Sequence, residues 1–542
     1  MTGILQGEGA DRRAVLGGAA ALAAAVAAGG ALGSPLAGGA TAAPLAETAY
    51  GAVSGELQDG INVFRGIPYG APTGGGDRFM PAEPPRPWGG VRRATRFGDQ
   101  CPQLPPPPIT AWASWALATG ESEDCLVLNV CTPGLADGKK RPVMVWMHGG
   151  GYSMLNGSSP VYDGVKLCRR GDVVLVTLNH RLNLFGYLYL AELGGPRFAD
   201  SGNIGQLDLI AALQWVKQNI AAFGGDPDRV MIFGESGGGG KVSTLMAMPA
   251  ARGLFHRAAI QSGPGLTAIA PAAATALARK VCAAVGVSAR SPGDLQHVSV
   301  ERLREALKTV SKDDATGFGP VLDAKNLPRD PFTPDAPAVS ADVPVIVGYN
   351  ATETTIFSPR SAFDLDWPGL ERALAAQARG AHVGKLIAAF RQLQPAASPS
   401  DLYFEITTDV WMGRGSIALA ERKAALGAAG AYLYRLDFET PVDRLRSPHS
   451  LDLPLVFDTV DKSASLLGAS APRAQKVADQ MSAAWIAFAY TGSPNATGLA
   501  SWPRYDPQAR STMIFNVTSR AVNDPDSAER ELIAAVPPQL AA

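Results

Sequence analysis

Six short, almost wholly apolar runs recur along the chain. They cover residues 142–147, 173–179, 230–233, 257–262, 343–349 and 431–438. A strand that is apolar at every position is buried on both faces, which is typical of a parallel sheet covered by helices. The pattern therefore predicts six strands of a mostly parallel sheet.

A helical pattern separates two of these runs. Apolar residues recur at helical spacing in residues 203–223, and the sequence FGGDP at 223–227 ends the segment. Helix-rich insertions are expected at 270–315 and 360–427. Strands that alternate with helices, without a repeat or a linker, predict an α/β class and one domain over residues 43–542.

Composition narrows the class of protein. Of the 542 residues, 46% are hydrophobic and 18% are charged, which is enough apolar material for a large core. The 48 basic and 49 acidic residues leave a net charge of −1. No basic face is indicated, so we expect no nucleic-acid partner.

The first 44 residues differ in composition from the rest. Arg12 and Arg13 precede an apolar run rich in Ala, Gly and Leu, and Ala40-Thr41-Ala42 follows it. This order is typical of a twin-arginine signal peptide cleaved after Ala42; the alternative is a transmembrane anchor, for which the run is short and rich in glycine. We expect a bacterial protein exported to the periplasm or secreted, with no membrane span in the mature chain.

A glycine-rich sequence follows the apolar run at 230–233. It reads Gly234-Glu235-Ser236-Gly237-Gly238 and leads into a helical segment. The pattern G-x-S-x-G between a strand and a helix is typical of a nucleophilic serine on a tight turn, where flanking side chains would collide with neighbouring elements. We predict Ser236 as a nucleophile, while the two glycines that follow, at 239 and 240, have no explanation in this pattern.

A second glycine run follows the strand predicted at 142–147. It is His148-Gly149-Gly150-Gly151. Acyl transfer places negative charge on a carbonyl oxygen, and preorganised backbone N–H groups stabilise it by about 3–4 kcal/mol each. We predict Gly150, Gly151 and Gly237 as the donors of an oxyanion hole; the alternative is a flexible surface loop.

Candidates for a base and its acid lie further along the chain. His449, one of six histidines, lies in a loop after the last strong strand, where the order nucleophile, acid, histidine requires the base. A lone histidine in a loop is more often simply solvated. Glu353 follows the strand at 343–349 and is the predicted acid, with Asp342 and Asp323 as rivals.

Ten ordered motifs between residues 45 and 535 resemble the type-B carboxylesterase family, the cholinesterase-like and para-nitrobenzyl esterase-like branch of the α/β-hydrolases. The resemblance implies a central, mostly parallel sheet covered by helices, with helical insertions around the active site. The motifs are FRGIPYGAP (64–72), RFMPAEPP (78–85), SEDCLVLNV (122–130), WMHGGGYS (146–153), LNHRLNLFGYL (178–188), ALQWVKQNIAAFGGDPDRVMIFGESGG (212–238), AIQSG (259–263), GYNATE (348–353), HSLDLPLVF (449–457) and FAYTGSPN (488–495).

The resemblance also implies roles for single residues. Ser236 would be the nucleophile, Glu353 the acid and His449 the base, without a metal or an organic cofactor. It further implies that Glu235 lines the site, that Ser262 lies beside the triad, that Cys101 and Cys125 form a disulfide, and that Arg78 with Glu123 and Arg181 with Asp208 are structural ion pairs.

Several positions depart from the family pattern or keep two interpretations. Gly237 replaces a common alanine, which predicts a looser loop and a slightly larger acyl pocket, and His180 replaces a common tyrosine. Arg414 either lines the pocket and favours acidic substrates or lies on the surface. Trp112 and Trp115 either bind a cationic substrate group or pack their loop onto the body.

The predicted function is hydrolysis of small-molecule carboxylic esters through an acyl-enzyme. Activity would rise as the histidine loses its proton, at about pH 6–7. The alternatives are related lipase, amide or carbamate hydrolysis, and a non-catalytic binding protein of the same fold. The presence of all three triad residues disfavours the binding protein.

Overall fold

A long mixed sheet organises the part of the chain that the computed structural model describes, residues 43–313, 317–378 and 383–535. The predicted signal peptide lies outside these residues. The strands are β1 Leu45–Thr48, β2 Gly51–Ser54, β3 Glu56–Gln58, β4 Ile61–Pro68, β5 Val91–Arg93, β6 Val127–Thr132, β7 Arg141–Met147, β8 Val174–Leu178, β9 Gly225–Glu235, β10 Arg257–Gln261, β11 Val345–Asn350, β12 Ala431–Leu436, β13 Ser511–Phe515 and β14 Arg520–Asn523.

The main sheet has eleven strands within the described residues. Their order is β14-β13-β12-β11-β10-β9-β7-β8-β6-β4-β3, while β1, β2 and β5 form a small separate sheet. The seven strands β7, β8, β9, β10, β11, β12 and β13 are parallel to one another. The flanking strands β3, β4, β6 and β14 pair with their neighbours in antiparallel fashion. All six predicted strands are present, and β9 begins earlier than predicted because Gly225 already pairs with Arg141.

Helices cover the sheet and form the predicted insertions. They are α1 Val165–Gly171, α2 Asn183–Tyr187, α3 Ala191–Gly194, α4 Ile204–Asn219, α5 Gly237–Ala247, α6 Pro271–Ala284, α7 Val300–Asp313, α8 Trp367–Ala378, α9 Val383–Leu393, α10 Pro399–Thr408, α11 Arg414–Ala425, α12 Leu453–Val456, α13 Ala464–Leu467, α14 Ala471–Thr491 and α15 Ser527–Ala534. Among the described residues, no helix combines the length and the apolar character needed to cross a bilayer.

The central strands contribute to two hydrophobic cores, one on each face of the sheet. In β7, Val143 and Val145 pack into the core that α4 and α5 cover, whereas Met144 and Trp146 pack into the core that α14 covers. Successive side chains of a strand point to opposite faces, so burial on both faces requires the continuous apolar runs seen in the sequence.

The predicted functional residues follow the carboxyl ends of the parallel strands. The glycine run follows β7, Ser236 follows β9, Ser262 follows β10 and Glu353 lies three residues after β11. Parallel strands end at the same edge of a sheet, which is where ligands bind in open α/β folds. The topology therefore brings segments that are distant in sequence to one site.

Candidate active site

Ser236 lies on a strained turn between β9 and α5. Its backbone has φ 57° and ψ −125°, a region that costs a non-glycine residue of order 1–3 kcal/mol. The turn is held because Ser236 N donates to Gln261 O at 2.8 Å and Gly240 N donates to Ser236 O at 3.1 Å. The strain holds the half-buried serine at the edge of the sheet.

The glycines around the serine allow backbone segments to approach one another. A Cβ on Gly238 would collide with the carbonyl oxygen of Met147 at the end of β7. A Cβ on Gly239 would lie 3.0 Å from Gly263 O, and one on Gly240 would lie 2.7 Å from the hydroxyl of Tyr152. The two glycines that the sequence left unexplained thus make room for the loop after β10 and for the end of the glycine run.

The glycine run at 148–151 packs directly against the serine turn. Gly150 and Gly151 both have positive φ, 79° and 60°. Glycine adopts this backbone conformation without strain, whereas a residue with a side chain does not. A Cβ on Gly237 would collide with the backbone of Gly151. The space that an alanine would fill at position 237 is therefore occupied by the loop itself, not left as the larger pocket that the sequence predicted.

The structure brings Glu353 and His449 together. His449 Nδ1 lies 2.5 Å from Glu353 Oε2, and both side chains are buried. The other carboxylate oxygen, Oε1, accepts hydrogen bonds from Ser262 Oγ and from Asn350 N, both at 2.6 Å. Three contacts thus fix the Glu353 carboxylate and the orientation of the imidazole, and Ser262 is one of the groups that hold Glu353.

The rival acids lie elsewhere. Asp342 is exposed, and Asp323 accepts hydrogen bonds from the backbone of its own turn and from Asn203 at 2.7 Å. Neither is a hydrogen-bond partner of His449 among the described residues.

A second carboxylate faces the other ring nitrogen of His449. Nε2 lies 3.2 Å from Glu235 Oε1, which also accepts a hydrogen bond from Ser450 Oγ at 2.6 Å. Within the described part of the chain, no hydrogen bond joins Nε2 to Ser236 Oγ. Hydrogen bonds between catalytic groups are often long in unliganded enzymes and tighten when substrate binds.

The two carboxylates change the basicity of the histidine. Burial lowers the pKa of His449, but the negative charges of Glu235 and Glu353 and the Glu353 hydrogen bond outweigh burial and raise this pKa above its usual value. Burial also raises the pKa of the Glu235 carboxyl. The activity rise is therefore expected above the pH 6–7 that the sequence suggested.

Asp452 is a further buried carboxylate near His449 that was not among the residues predicted from the sequence. Its Oδ2 accepts hydrogen bonds from Gln261 Nε2 and from Tyr434 Oη, both at 2.8 Å. The sequence feature that could have indicated Asp452 is its position, three residues after His449 in a mostly apolar motif. The described residues contain no group of three or more His, Cys, Asp or Glu side chains arranged to hold a metal ion.

Aromatic side chains cover His449. The rings of Trp411 and Phe357 lie 5.0 Å and 5.3 Å from the imidazole, and these side chains are 39% and 48% exposed. Trp411 belongs to a π-helical turn, Asp409–Gly413, that leads into α11 at the half-buried Arg414. Trp411 and Phe357 form an apolar shelf beside His449.

The two tryptophans of the loop between Cys101 and Cys125 have different surroundings. Trp115 is buried and donates from Nε1 to Ser463 Oγ at 2.9 Å, so it packs the loop onto the body. Trp112 stacks on Trp115 and contacts Phe357, with ring centroids 5.8 Å apart. Trp112 therefore supports the apolar shelf from behind.

Cys101 and Cys125 are buried free thiols in the structure, not the predicted disulfide. The neighbouring Cys101 thiol and burial together raise the pKa of the Cys125 thiol. The remaining cysteines are also free thiols; Cys168 and Cys282 are buried and Cys131 is half-buried.

The two predicted ion pairs are in contact away from the triad. Arg78 binds both carboxylate oxygens of Glu123 at 2.6 and 2.7 Å and also donates to Leu295 O at 2.8 Å. Arg181 binds both oxygens of Asp208 at 2.8 and 2.6 Å. Arg78, Arg181 and Asp208 are buried and Glu123 is partly buried, and the pairs tie loops to the body, which fits a structural role.

Comparison with known proteins identifies the chain. The sequence profile of the Carboxylesterase family matches residues 42–532. The chain belongs to this family. The predicted family and the predicted α/β-hydrolase fold are confirmed, and the protein is a carboxylic ester hydrolase.

Relatives and solved structures match over nearly their whole length. The para-nitrobenzyl esterase of Bacillus subtilis is 35% identical over 491 residues, which cover 89% of this chain and 97% of that protein. A carboxylesterase of Geobacillus stearothermophilus, with a TM-score of 0.79 and 36% identity, covers 90% of this chain and 99% of its own. An esterase of Clostridium hathewayi that can hydrolyse aliphatic aromatic polyesters has a TM-score of 0.77 and 33% identity. The match covers 92% of this chain and 99% of that chain.

Proposed function

We propose that this carboxylesterase works through an acyl-enzyme on Ser236, with His449 as base and Glu353 as its acid. The observation that carries the proposal is the 2.5 Å contact between His449 Nδ1 and Glu353 Oε2, beside a strained serine turn. A glutamate that accepts from Nδ1 leaves Nε2 as the basic nitrogen, because it fixes the tautomer of the ring.

The catalytic cycle follows from these positions. His449 takes the proton of Ser236 while the serine oxygen attacks the ester carbonyl, and the N–H groups of Gly150, Gly151 and Gly237 stabilise the oxyanion. The protonated histidine then gives its proton to the departing alcohol. Water, activated by the same histidine, hydrolyses the acyl-enzyme and releases the acid.

The alcohol part of the substrate lies against the apolar shelf in this proposal. The alcohol must be close to His449 to receive its proton, and the exposed rings of Trp411 and Phe357 flank that histidine. Aromatic rings favour contact with other rings by about 0.5–1.5 kcal/mol beyond the area they bury. The substrates are therefore esters of apolar alcohols, with preference for aromatic ones; the polyester-hydrolysing Clostridium esterase is a relative in keeping with this preference.

Trp411→Ala is expected to lower kcat/KM for benzyl butyrate about tenfold while it changes kcat/KM for ethyl butyrate by less than about twofold. The two esters share the acyl group and have alcohols of similar reactivity, so the ratio isolates contacts of the alcohol side. Steady-state kinetics of both esters provide the measurement.

Trp367→Ala is the matched control, because Trp367 in α8 stacks against Arg391 of α9, and among the described residues no ring contact joins it to His449. It should leave both kcat/KM values unchanged. Equal losses for the benzyl and ethyl esters in Trp411→Ala would show that the shelf does not bind the alcohol.

We also propose that the chain is exported and that Cys101 and Cys125 form a disulfide after export. The paired arginines, the apolar run and Ala40-Thr41-Ala42 support a cleaved twin-arginine signal over residues 1–42. The buried thiols of Cys101 and Cys125 are close enough for Cys101 to raise the pKa of Cys125, and they can form a disulfide in an oxidising compartment. Closing a loop of this length stabilises the folded chain by about 3–4 kcal/mol.

In a bacterium that has a twin-arginine translocase, the exported wild-type chain is expected to begin at Ala43 and to contain three free thiols among its five cysteines. Intact-mass spectrometry after alkylation of the denatured protein counts them. The variant Arg12→Lys/Arg13→Lys should remain in the cytoplasm at full length with five thiols. Five thiols in the exported chain would contradict the disulfide, and export of the variant would contradict the signal.

A further inference from the structure

Lys241 is a buried amine close to the glycine run. It lies on α5, five residues after Ser236, and its side chain is 0% exposed. Its Nζ donates a hydrogen bond of 2.8 Å to the carbonyl oxygen of His148, the residue that begins the glycine run. The lysine thus connects the helix that follows the nucleophile to the loop that carries the predicted oxyanion donors.

Among the described residues, no carboxylate forms an ion pair with Lys241. The rings of His148 and His180 lie next to it, 4.8 Å apart, and Lys241 contributes to lowering the pKa of both, after burial. The ring of Tyr152 lies 5.8 Å from Nζ. Burial lowers the pKa of Lys241 to about 7. A buried amine without a counter-charge is costly, so an apolar side chain would be the cheaper choice for packing alone.

The contact with His148 provides a reason for the lysine. The loop approaches α5 at Gly237, where Gly151 backbone fills the space of a side chain, and at Gly240, where the Tyr152 hydroxyl packs. Those contacts are steric and limit how close the loop can come. The Lys241 hydrogen bond is directional, and it fixes the orientation of the peptide group that precedes Gly149.

We propose that Lys241 is a positioning residue for the oxyanion hole: its bond to the His148 carbonyl holds the glycine run so that the N–H groups of Gly150 and Gly151 point at the developing oxyanion. The inference rests on the proposed role of these N–H groups. It requires a hydrogen-bond donor at position 241, not a particular charge.

The test compares Lys241→Met, which has similar volume and no donor, with Lys241→Gln, which keeps a donor. Lys241→Met is expected to lower kcat for p-nitrophenyl butyrate about tenfold or more, with KM changed by less than about twofold, because the donors act on the transition state. The inhibition constant of an alkyl trifluoromethyl ketone, which forms a tetrahedral oxyanion on the serine, should rise by the same factor. Lys241→Gln should recover most of both losses.

Lys423→Met is the matched control. Lys423 is also fully buried and donates to two backbone carbonyls, Ser340 O at 2.6 Å and Ala341 O at 2.9 Å, in a turn outside the site. The same chemical change there should leave kcat and the ketone inhibition constant unaltered. Lys241→Leu repeats the test with a second apolar side chain in case the methionine variant does not fold.

A folded Lys241→Met or Lys241→Leu enzyme with wild-type kcat and ketone affinity would overturn the proposal. So would equal losses in the glutamine and methionine variants. Failure of the proposed mechanism is distinguishable, because the wild-type enzyme itself would then not bind the ketone at the serine.

Discussion

Ser236→Ala is expected to lower kcat for p-nitrophenyl butyrate by about 10⁴–10⁶-fold while KM changes by less than about threefold. The change removes the oxygen that forms the acyl-enzyme in the proposed mechanism and leaves the glycine run, the histidine and the apolar shelf in place. Binding should therefore persist, whereas chemistry is reduced to what the oxyanion donors supply to water. Ala has no larger side chain than Ser, so the strained turn is retained.

The measurement needs a control for wild-type contamination and one for the loss of any buried hydroxyl. Titration with a phosphonate ester that labels reactive serine should give one equivalent in the wild-type enzyme and none in the variant. Ser482→Ala serves as the matched control, because Ser482 is buried in α14 and its hydroxyl donates a hydrogen bond of 2.6 Å to Ala478 O. Activity of Ser236→Ala within about a hundredfold of wild type would place the nucleophile elsewhere.

The position of Ser236 could be predicted because its requirements are local. A strand, a tight turn and a helix lie within a few residues, and the glycines that permit the turn adjoin the serine in sequence. The parallel sheet was predictable for a similar reason, since burial of both faces imposes continuous apolar runs such as 142–147.

The features that the sequence did not predict depend on contacts between distant segments. Nothing in the run of glycines at 237–240 reveals that Gly151 fills the space beside Gly237 or that Tyr152 packs on Gly240. Lys241 looks in sequence like an exposed helical lysine, yet it is buried against His148. These contacts are set by where β7 and β9 end relative to each other in the sheet, which sequence spacing alone does not give.

The charge around His449 is a second feature that could not be predicted from the sequence. From the sequence, Glu353 was the predicted acid and Glu235 was expected only to line the site. The structure places a carboxylate beside each ring nitrogen of His449. Proximity of Glu235 to Nε2 follows from its place just before the serine on β9. The consequence for the histidine pKa could be recognised only with both distances known.

The two carboxylates are expected to respond differently to substitution. Glu353→Gln should lower kcat by about 10⁴-fold, because an amide in place of the carboxylate can donate to Nδ1, which favours the wrong tautomer, and no longer stabilises the imidazolium. Glu235→Gln should lower kcat by no more than about tenfold, because Glu235 contributes charge near Nε2 but does not hold the ring. The comparison uses the same isosteric change at two carboxylates of one histidine.

The pH dependence separates the two roles further. Both carboxylates favour the protonated imidazole, so each raises the pKa of His449, and the wild-type kcat/KM should rise with a midpoint above the usual histidine value of about 6.5. Glu235→Gln removes one negative charge, which lowers the pKa of His449 and should move this rise to lower pH. Profiles of kcat/KM from about pH 5 to 10 measure the shift. A midpoint that does not move in Glu235→Gln would mean that Glu235 is already protonated beside the histidine. A 10⁴-fold loss of kcat in Glu235→Gln, and not in Glu353→Gln, would exchange the roles of the two acids.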